Sequence, residues 1–388
     1  MTVTAPAGFT AAGIACGIKA SGDPDLSLVA TADGTPGAAA AVFTQNKMTA
    51  APVVTTNAHL TLTSGRAAAV VLNSGCANAA TGTPGVEDAQ AMCAAVAGEL
   101  GCAADEVLVC STGLIGYRLP MDSILAGIPK LVAARSPEGG PDAAEAMRTT
   151  DTHRKETVVE RNGFTVGGMA KGAAMLAPNM ATMLAVLTTD AAVEPTELTE
   201  VLRAGVAESF NAMSVDGCTS TNDTVILLAS GEAGAPADPA AFKAAVAEAC
   251  LALATQMVGD AEGHTKVVEV RVTGALSDDE ARAGARKVAE SQLVKCSWYG
   301  QDPYWGRIAS ELGTAGITFE PDKLMVRYGD LVVADGGVTA PVDQDALAAY
   351  MAQEHLQVTA HLGLGDGNAR ILTNDLTHAY VDENMGTS

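Results

Sequence analysis

The order of apolar and polar positions along the chain predicts that strands and helices alternate from one end to the other. Arg66 to Asn73 is an apolar run followed by a Gly-containing turn, which predicts a buried strand. Val86 to Leu100 has apolar residues at helical spacing, and Gly101 is predicted to end that helix. The continuous apolar run from Thr182 to Leu187, ending at Thr188-Thr189-Asp190, is typical of a strand buried on both faces.

Local signals add further elements to this pattern. Asp238 and Pro239 predict the start of a helix by cap and first-turn chemistry. Five apolar residues fall on one face of that helix, namely Phe242, Val246, Cys250, Leu253 and Met257. Ser277 with Glu280 predicts a capping box, and Met325 to Ala334 predicts a hairpin.

These elements together predict an α/β (α+β) fold in which helices sandwich mixed sheets. The chain has 388 residues, of which 48% are hydrophobic, so it can bury a large core, and its length favours two or three domains. The Pro- and Gly-containing stretch from Ser136 to Asp142 predicts either a linker or an ordinary surface loop.

The net charge of the chain limits the classes of molecule that it can bind. Lys and Arg number 23 and Asp and Glu number 45, so the net charge is −22. Such a surface repels phosphate backbones and anionic lipid, and we expect no nucleic-acid or membrane partner. No apolar run approaches the roughly 20 residues of a membrane span. The first residues lack the basic start of a signal peptide, and a cytoplasmic protein is the expectation.

The cysteines and histidines give no sign of a metal site. None of the 8 cysteines forms a Cys-x-x-Cys pair, and we expect them to act as small buried hydrophobes. The 6 histidines are scattered without ligand spacing on a helix face. We therefore expect neither a structural nor a catalytic metal.

Thr182 heads an apolar strand and follows Pro178 and the small residue Ala181, which fits either the mere start of a buried strand or a nucleophile that the chain exposes by cleaving itself. A threonine hydroxyl becomes a useful nucleophile when a base removes its proton, and an N-terminal threonine supplies that base with its own amine. Exposure of this amine requires cleavage of the Ala181–Thr182 bond. The Thr182 hydroxyl would attack the Ala181 carbonyl, and water would open the resulting ester.

A set of short motifs accompanies Thr182 in order along nearly the whole chain. They are Ala41-Val42-Phe43-Thr44-Gln45-Asn46, Asn73-Ser74-Gly75-Cys76-Ala77-Asn78, Ser111-Thr112-Gly113-Leu114-Ile115-Gly116, Thr149-Thr150-Asp151-Thr152, Ser220-Thr221-Asn222-Asp223-Thr224, Asp260-Ala261-Glu262-Gly263 and Trp305-Gly306-Arg307. With these motifs, the chain resembles the ornithine acetyltransferase family, also called glutamate N-acetyltransferases.

The resemblance implies a self-processing acyltransferase of the N-terminal-nucleophile type. Cleavage would give fragments 1–181 and 182–388, which stay associated as two pairs. The implied reaction moves acetyl from N2-acetyl-L-ornithine to L-glutamate through an acetyl-Thr182 intermediate, in the cyclic arginine pathway. It needs no cofactor, because the enzyme itself carries the acetyl group. The family also implies that Thr112 and Gly113 hold the oxyanion, which requires donors aimed at it in advance.

The resemblance also implies a substrate pocket. Lys171 is of the right charge to pair with a carboxylate and Glu262 with an ammonium group, and Thr149 can hydrogen-bond the acyl or amide part. The tail of the family's proteins adds an asparagine and a hydroxyl to the pocket. The asparagine is Asn384 here, and the hydroxyl is that of Ser388. Thr387 is the alternative to Ser388, because the ending of this chain departs from the family's usual one.

Two further departures are Cys218, where an aspartate is common, and Tyr304, where an asparagine is common. Three alternatives stay open. The enzyme can also use acetyl-coenzyme A to make N-acetylglutamate, it can be a related self-processing aminopeptidase, or it can be a binding protein that never cleaves. The threonine argues against the aminopeptidase, whose usual nucleophile is serine.

Overall fold

A computed structural model describes residues 2–175 and 183–386, which form two compact units. The first unit takes its described residues from Met1–Asn211 and from Cys218–Met257. The second unit consists of Ala212–Gly217 and Val258–Gly386. The stretch predicted as a possible linker, residues 136–142, lies inside the first unit. Ser136 forms a β-bridge with Ala11, and a helix already begins at Gly140, so a linker was the wrong interpretation.

The first unit contains two mixed sheets. Its strands are β1 (Phe9–Ile14), β2 (Leu26–Thr31), β3 (Gly37–Phe43), β4 (Arg66–Ala67), β5 (Ala69–Cys76), β6 (Val107–Leu114), β7 (Lys155–Arg161), β8 (Phe164–Lys171), β9 (Leu184–Ala191) and β10 (Thr224–Gly234). The four-stranded sheet has the order β1-β2-β5-β6, and the six-stranded sheet has the order β4-β3-β10-β9-β8-β7. The pairs β5–β6 and β9–β10 are parallel, and the other pairs in these two sheets are antiparallel.

Helices cover the outer faces of these two sheets. They are α1 (Ala51–Leu62), α2 (Gly82–Leu100), α3 (Met121–Ala134), α4 (Gly140–Ala146), α5 (Pro195–Ala207) and α6 (Pro239–Val258). Side chains of α2 and α3, such as Met92 and Ile128, pack on one face of the four-stranded sheet. The other face, with Val70 and Leu108, shares a core with Val186 and Ile226 of the six-stranded sheet. The predicted α/β fold with helices sandwiching mixed sheets is confirmed.

Helix α1 covers the edge of the four-stranded sheet at β6. The Thr56 hydroxyl donates to the Val109 carbonyl at 2.7 Å and accepts from the Val109 N–H at 2.8 Å. Nδ1 of His59 lies 2.8 Å from the Val107 oxygen. These side chains pair backbone groups of β6 that a neighbouring strand would otherwise pair, because β6 lies at the edge of its sheet. They fix the strand that carries Thr112 and Gly113.

Helix α6 is a core helix whose sequence also has the length and composition of a membrane span. Lys243, Glu248, Thr255 and Gln256 interrupt its apolar residues, so it holds no uninterrupted apolar run of the length of a membrane span. Half of its most apolar window is buried. The predicted face is confirmed, since Phe242, Val246, Cys250, Leu253 and Met257 are all 0% exposed.

The second unit holds one six-stranded sheet with helices beside it. Its elements are β11 (Val267–Ala275), α7 (Asp278–Ala289), α8 (Gln292–Tyr299), α9 (Gly306–Leu312), β12 (Met325–Tyr328), β13 (Leu331–Asp335), β14 (Val338–Thr339), α10 (Gln344–Met351), β15 (His355–His361), β16 (Gly367–Asn374) and α11 (His378–Glu383). The strand order is β14-β13-β12-β15-β11-β16. Apolar side chains from the sheet and from α7, α8 and α9 form its core, including Val270, Trp298 and Leu312.

Most local predictions hold, with shifted boundaries. Helix α2 ends at Gly101, whose φ is +77°, as predicted, but it begins four residues before Val86. Only half of the predicted capping box forms in this part of the described chain: the Ser277 hydroxyl accepts from the Glu280 N–H at 3.2 Å, but the Glu280 carboxylate binds Thr318. The predicted hairpin is β12–β13. Strand β9 continues to Ala191, past the end predicted for it, because its threonines are buried with the apolar residues.

The predicted burial of the cysteines holds for half of them. Cys76, Cys93, Cys110 and Cys250 are buried, and none of the eight cysteines forms a disulfide bond. Cys218 and Cys296 are exposed, and Cys16 and Cys102 are half-buried.

Candidate active site

The predicted nucleophile Thr182, its neighbour Ala181 and the tail residue Ser388 lie outside the described residues. The described chain resumes at Met183, which is buried and whose carbonyl accepts the Thr224 N–H at 3.0 Å. Strand β9 then begins at Leu184, which pairs with Lys171 of β8 on one side and Thr224 of β10 on the other. The chain just after the predicted nucleophile is therefore held between the ends of two strands.

Lys171, the predicted carboxylate-binding residue, ends β8 and is only 8% exposed. Its charge interacts with two buried carboxylates, those of Asp151 and Asp223. A lysine in such a place is unusual, since lysines are rarely buried unless paired. The side chain of Lys171 is therefore packed into the first unit and is not a solvated charge on its surface.

Asp151 connects three parts of the candidate site. Its Oδ1 accepts from Lys155 Nζ at 2.6 Å and from the Gly172 N–H at 2.6 Å, and its Oδ2 accepts from the Thr149 N–H at 3.1 Å. Burial acts to raise the pKa of Asp151, but the charges of Lys171 and Lys155 and the Gly172 bond outweigh burial. The pKa of Asp151 therefore lies well below its usual range, and the group is ionised.

The carboxyl group of Asp223 lies in a different buried environment, although the charge of Lys171 acts on it as well. Burial raises the pKa of Asp223 well above its usual range, against the charge of Lys171 and hydrogen bonds from the Met183 N–H, Ser220 and Thr44. Within the described chain its Oδ2 is buried without a hydrogen-bond partner. The site therefore holds two buried carboxyl groups whose pKa values are shifted in opposite directions, which is a recurrent property of catalytic centres.

Thr112 and Gly113, the predicted oxyanion pair, lie at the end of β6. They pair with Ser74 and Gly75 of β5, where the register shifts between Gly75 and Cys76. Gly113 has φ +126°, and a Cβ there would lie 2.3 Å from the Gly75 carbonyl carbon. Only glycine fits this position. Gly113 is exposed and Thr112 half-buried, so a small ligand can reach the end of the strand.

Asn222 joins this strand end to β10. Its Nδ2 donates to the Ala77 oxygen at 2.6 Å and to the Ser111 oxygen at 2.9 Å. Its Oδ1 accepts from the Thr221 hydroxyl at 2.6 Å. Asn222 therefore fixes the residue before Thr112 and directly precedes Asp223.

Thr149 belongs to the same unit as the residues above. It is half-buried and follows α4, and its backbone is held by Asp151. The structure thus connects Thr149, Lys171 and Gly172 through one carboxylate. It also connects the strand of Thr112 and Gly113, through Asn222, to the segment of Asp223.

Glu262 and Asn384, predicted as substrate-binding residues, lie in the second unit and are bonded to each other. Nδ2 of Asn384 donates to Glu262 Oε2 at 2.8 Å. The loop of Glu262 packs closely on the start of α11, since a Cβ on Gly263 would lie 2.3 Å from the Tyr380 nitrogen. The tail asparagine and the glutamate therefore form one hydrogen-bonded group, although they lie far apart in sequence. Their role in substrate binding stays a prediction.

Three residues that matter in this arrangement were not predicted as site residues. Asn222 and Asp223 appeared only inside a motif, and Lys155 appeared in none. A signal for the first two exists in the sequence, since they are amides and acids directly before a buried strand. The two departures from the family pattern, Cys218 and Tyr304, are both exposed.

The described residues contain no group of three or more histidine, cysteine, aspartate or glutamate side chains able to hold a metal ion. The expectation of a reaction without metal or cofactor stays a prediction.

Comparison with known proteins identifies the relatives of this chain. The model of the ArgJ family matches residues 10–386. The Arginine biosynthesis bifunctional protein ArgJ of Mycobacterium leprae is 49% identical over 394 residues, covering 100% of this chain and 95% of the relative. The protein of the same name from Thermobifida fusca is 46% identical over 388 residues, covering 100% of both chains.

This chain is also similar to a solved structure. The crystal structure of ornithine acetyltransferase complexed with ornithine from Mycobacterium tuberculosis is 51% identical, with a TM-score of 0.44. The alignment covers 46% of this chain and 95% of that chain. With the family model and the full-length relatives, the result is clear: this chain belongs to the ArgJ family.

Proposed function

We propose that the protein transfers the acetyl group of N2-acetyl-L-ornithine to L-glutamate through an acetyl-Thr182 intermediate. The observation that carries this proposal is the full-length identity of 46% to 49% to proteins named for arginine biosynthesis. The geometry of the first unit supports it, because Lys171, Asp151 and Asp223 gather where the chain resumes after Thr182.

The reaction has two acyl-transfer steps. The Thr182 amine takes the proton of the Thr182 hydroxyl, whose oxygen attacks the acetyl carbonyl carbon. The C–N bond then breaks, ornithine leaves with that proton on its amine, and an acetyl ester remains on the enzyme. The amine of glutamate attacks the ester and gives a proton to the Thr182 amine, which passes it to the Thr182 oxygen as the C–O bond breaks, and N-acetyl-L-glutamate leaves. Each tetrahedral intermediate carries an oxyanion, and we assign its stabilisation to Thr112 and Gly113.

The other residues have assigned roles in substrate binding. Lys171 pairs with the substrate carboxylate, and Thr149 hydrogen-bonds the acyl or amide part. Glu262 binds an ammonium group of the substrate. Asn384 holds the carboxylate of Glu262 in place, and Ser388 contributes a hydroxyl from the tail. The buried position of Lys171 and the bond between Asn384 and Glu262 support these assignments.

We also propose that the protein makes its nucleophile by cleaving the Ala181–Thr182 bond, giving fragments 1–181 and 182–388. Sheet topology indicates why the fragments would stay together. In the six-stranded sheet, β9 and β10 belong to the second fragment and lie between β3 and β8 of the first. Separation would break two strand interfaces and expose a buried core. We further propose a cytoplasmic enzyme that associates as two such pairs and contacts neither nucleic acid nor membrane.

A second activity is favoured by the names of the relatives, which are called bifunctional. We propose as the alternative that the protein also makes N-acetylglutamate from acetyl-coenzyme A. An assay with acetyl-coenzyme A and glutamate as the only substrates tests this activity. N-acetylglutamate formed in that assay supports it, and its absence from an enzyme that is active with N2-acetylornithine excludes it.

The main proposal is tested with purified protein by intact mass, N-terminal sequencing and an acetyl-transfer assay. We expect two fragments, the second starting at Thr182, and N-acetylglutamate formed from N2-acetylornithine. Thr182→Ala is expected to leave one uncleaved, inactive chain, and Thr182→Ser to retain slow processing. Acetyl transfer by the Thr182→Ala protein would overturn the role assigned to Thr182.

A further inference from the structure

Lys155 is a fully buried charged side chain near the candidate site. It begins β7, its side chain is 0% exposed, and its Nζ lies 2.6 Å from Asp151 Oδ1. Burial of an ion pair costs several kcal/mol per ion in desolvation, and the attraction between the charges only partly returns it. A buried pair is therefore weak evidence of a stabilising role, and another role has to be considered for Lys155.

The charges around Lys171 indicate that role. Asp151 is ionised and paired with Lys155. Arg148 binds the main-chain oxygen of Asp151 but has its own counter-ion, the carboxylate of Glu145. Asp223 is held toward its neutral form by burial.

The group formed by Asp151, Lys155 and Lys171 therefore carries one net positive charge in a protein of net charge −22. Without Lys155, Asp151 would cancel the charge of Lys171, and the group would be neutral. The attraction of a carboxylate to a buried site depends on the net charge there, because low dielectric screens it weakly.

We propose that Lys155 sets substrate specificity by neutralising Asp151, so that the group around Lys171 keeps one positive charge for the carboxylate of an amino-acid substrate. Lys155 is a positioning residue, since its fully buried side chain acts on substrate only through Asp151 and Lys171. The proposal deepens the proposed function and rests on it. It predicts that ligands with an α-carboxylate depend on Lys155, and that diamines without one do not.

The experiment compares two inhibitors that differ only in the carboxylate, namely ornithine and 1,4-diaminobutane. Their inhibition constants are measured in the acetyl-transfer assay for the wild type and for Lys155→Met, which keeps the length of the side chain without its charge. The double variant Asp151→Asn with Lys155→Met removes both charges and returns the group to one net positive charge. Lys266→Met is the matched control, because Lys266 is another buried lysine but bonds main-chain oxygens in the second unit.

We expect Lys155→Met to raise the inhibition constant of ornithine by about 10- to 100-fold, the usual effect of a lost charge-assisted interaction. The constant of 1,4-diaminobutane is expected not to rise, because this dication has no carboxylate for the positive group to attract. The double variant is expected to recover most of the ornithine affinity, although the amide that it introduces beside the Thr149 N–H costs some stability. Lys266→Met is expected to change neither constant.

Two outcomes would overturn the proposal. One is a double variant that binds ornithine as poorly as Lys155→Met, since the residues would then act by shape and not by charge. The other is an equal loss of affinity for ornithine and for the diamine. If Lys155→Met fails to fold because Asp151 is left with a single lysine, the double variant, which buries no unpaired carboxylate, is compared with the wild type, and a loss of ornithine affinity of about 10-fold or more in it overturns the proposal. A wild type that neither transfers acetyl nor binds ornithine would instead refute the proposed function.

Discussion

The side-chain amide of Asn222 lies 2.9 Å from the main-chain oxygen of Ser111, and this bond links the segment before β10 to the end of β6. The same amide donates its other hydrogen to the Ala77 oxygen, just beyond β5. Thr112 and Gly113 follow Ser111 directly, so the position of the predicted oxyanion pair depends on Asn222. A displacement of about 1 Å at such a place is enough to reduce a rate strongly.

Asn222→Ala is therefore expected to lower kcat by about 10- to 100-fold, with a smaller change in KM, because oxyanion donors act on the transition state. It leaves two buried carbonyls without their donor and is expected to reduce the free energy of unfolding by about 1–3 kcal/mol. Steady-state kinetics and urea unfolding measure the two effects.

Asn46→Ala is the matched control for this variant. Asn46 donates its amide to the Thr219 oxygen at 2.9 Å, in the same segment that precedes β10, and this bond does not involve β6. We expect a similar loss of stability without the loss of kcat. Equal effects of the two variants on kcat would mean that the segment matters as a whole and that the Ser111 bond has no special role.

Gly113→Ala is expected to abolish acetyl transfer, with a loss of at least about 100-fold in kcat. The added Cβ would meet the Gly75 backbone at 2.3 Å, and φ of +126° is strained for alanine. Gly116→Ala separates these two causes, since Gly116 has φ +91° but open space around its Cβ position. The control is expected to cost about 1 kcal/mol of stability and to keep activity, measured by thermal unfolding and the same assay.

Much of the fold was predictable because its patterns are local. Gly101 ends α2, and the buried face of α6 follows from apolar spacing alone. The boundaries of β9 were harder to predict from the sequence, since Thr188 and Asp190 are polar yet buried. Their burial depends on bonds to distant groups, such as that from the Ala7 N–H to Asp190, and a local pattern carries no information on them.

The candidate site was predictable only where the family pattern names its residues. The resemblance supplied Lys171, Thr112 and Glu262, whereas composition and spacing gave no reason to choose them over other charged or polar residues. Lys155 could not be found from sequence, because its role depends on a buried contact with Asp151. The roles of all these residues stay predictions, and Thr182 and Ser388 also lie outside the described residues.

The environment of Asp223 makes stability depend on pH in a defined direction. Burial raises its pKa in the folded state above the ordinary value of 3.8, so the folded protein binds the proton more tightly than the unfolded chain does. Its contribution to stability is complete below about pH 4 and is lost as the pH rises through the folded-state pKa. Asp151 has the opposite shift, and its contribution is lost only as the pH falls below its ordinary pKa.

Asp223→Asn removes the first of these effects. Relative to the wild type, the variant is expected to become more stable as the pH rises from about 4 to the folded-state pKa, by up to about 1.4 kcal/mol for each pH unit. Urea unfolding at several pH values measures the difference. A difference that is constant over this range would mean that Asp223 does not titrate there. Asp33→Asn is a suitable control, because Asp33 is exposed.

Glu262 and Asn384 allow a separate test of substrate binding in the second unit. Glu262→Gln removes the charge but keeps an oxygen that can accept from the Asn384 amide. If Glu262 binds the ammonium group, kcat/KM for N2-acetylornithine should fall by about 10- to 100-fold while the unfolding temperature changes little. Asn384→Ala should cause a smaller loss, because it only releases the glutamate from one bond. Glu383→Gln, an exposed neighbour in α11, is the control expected to keep wild-type kinetics. Unchanged kinetics in Glu262→Gln would remove this residue from the substrate-binding set.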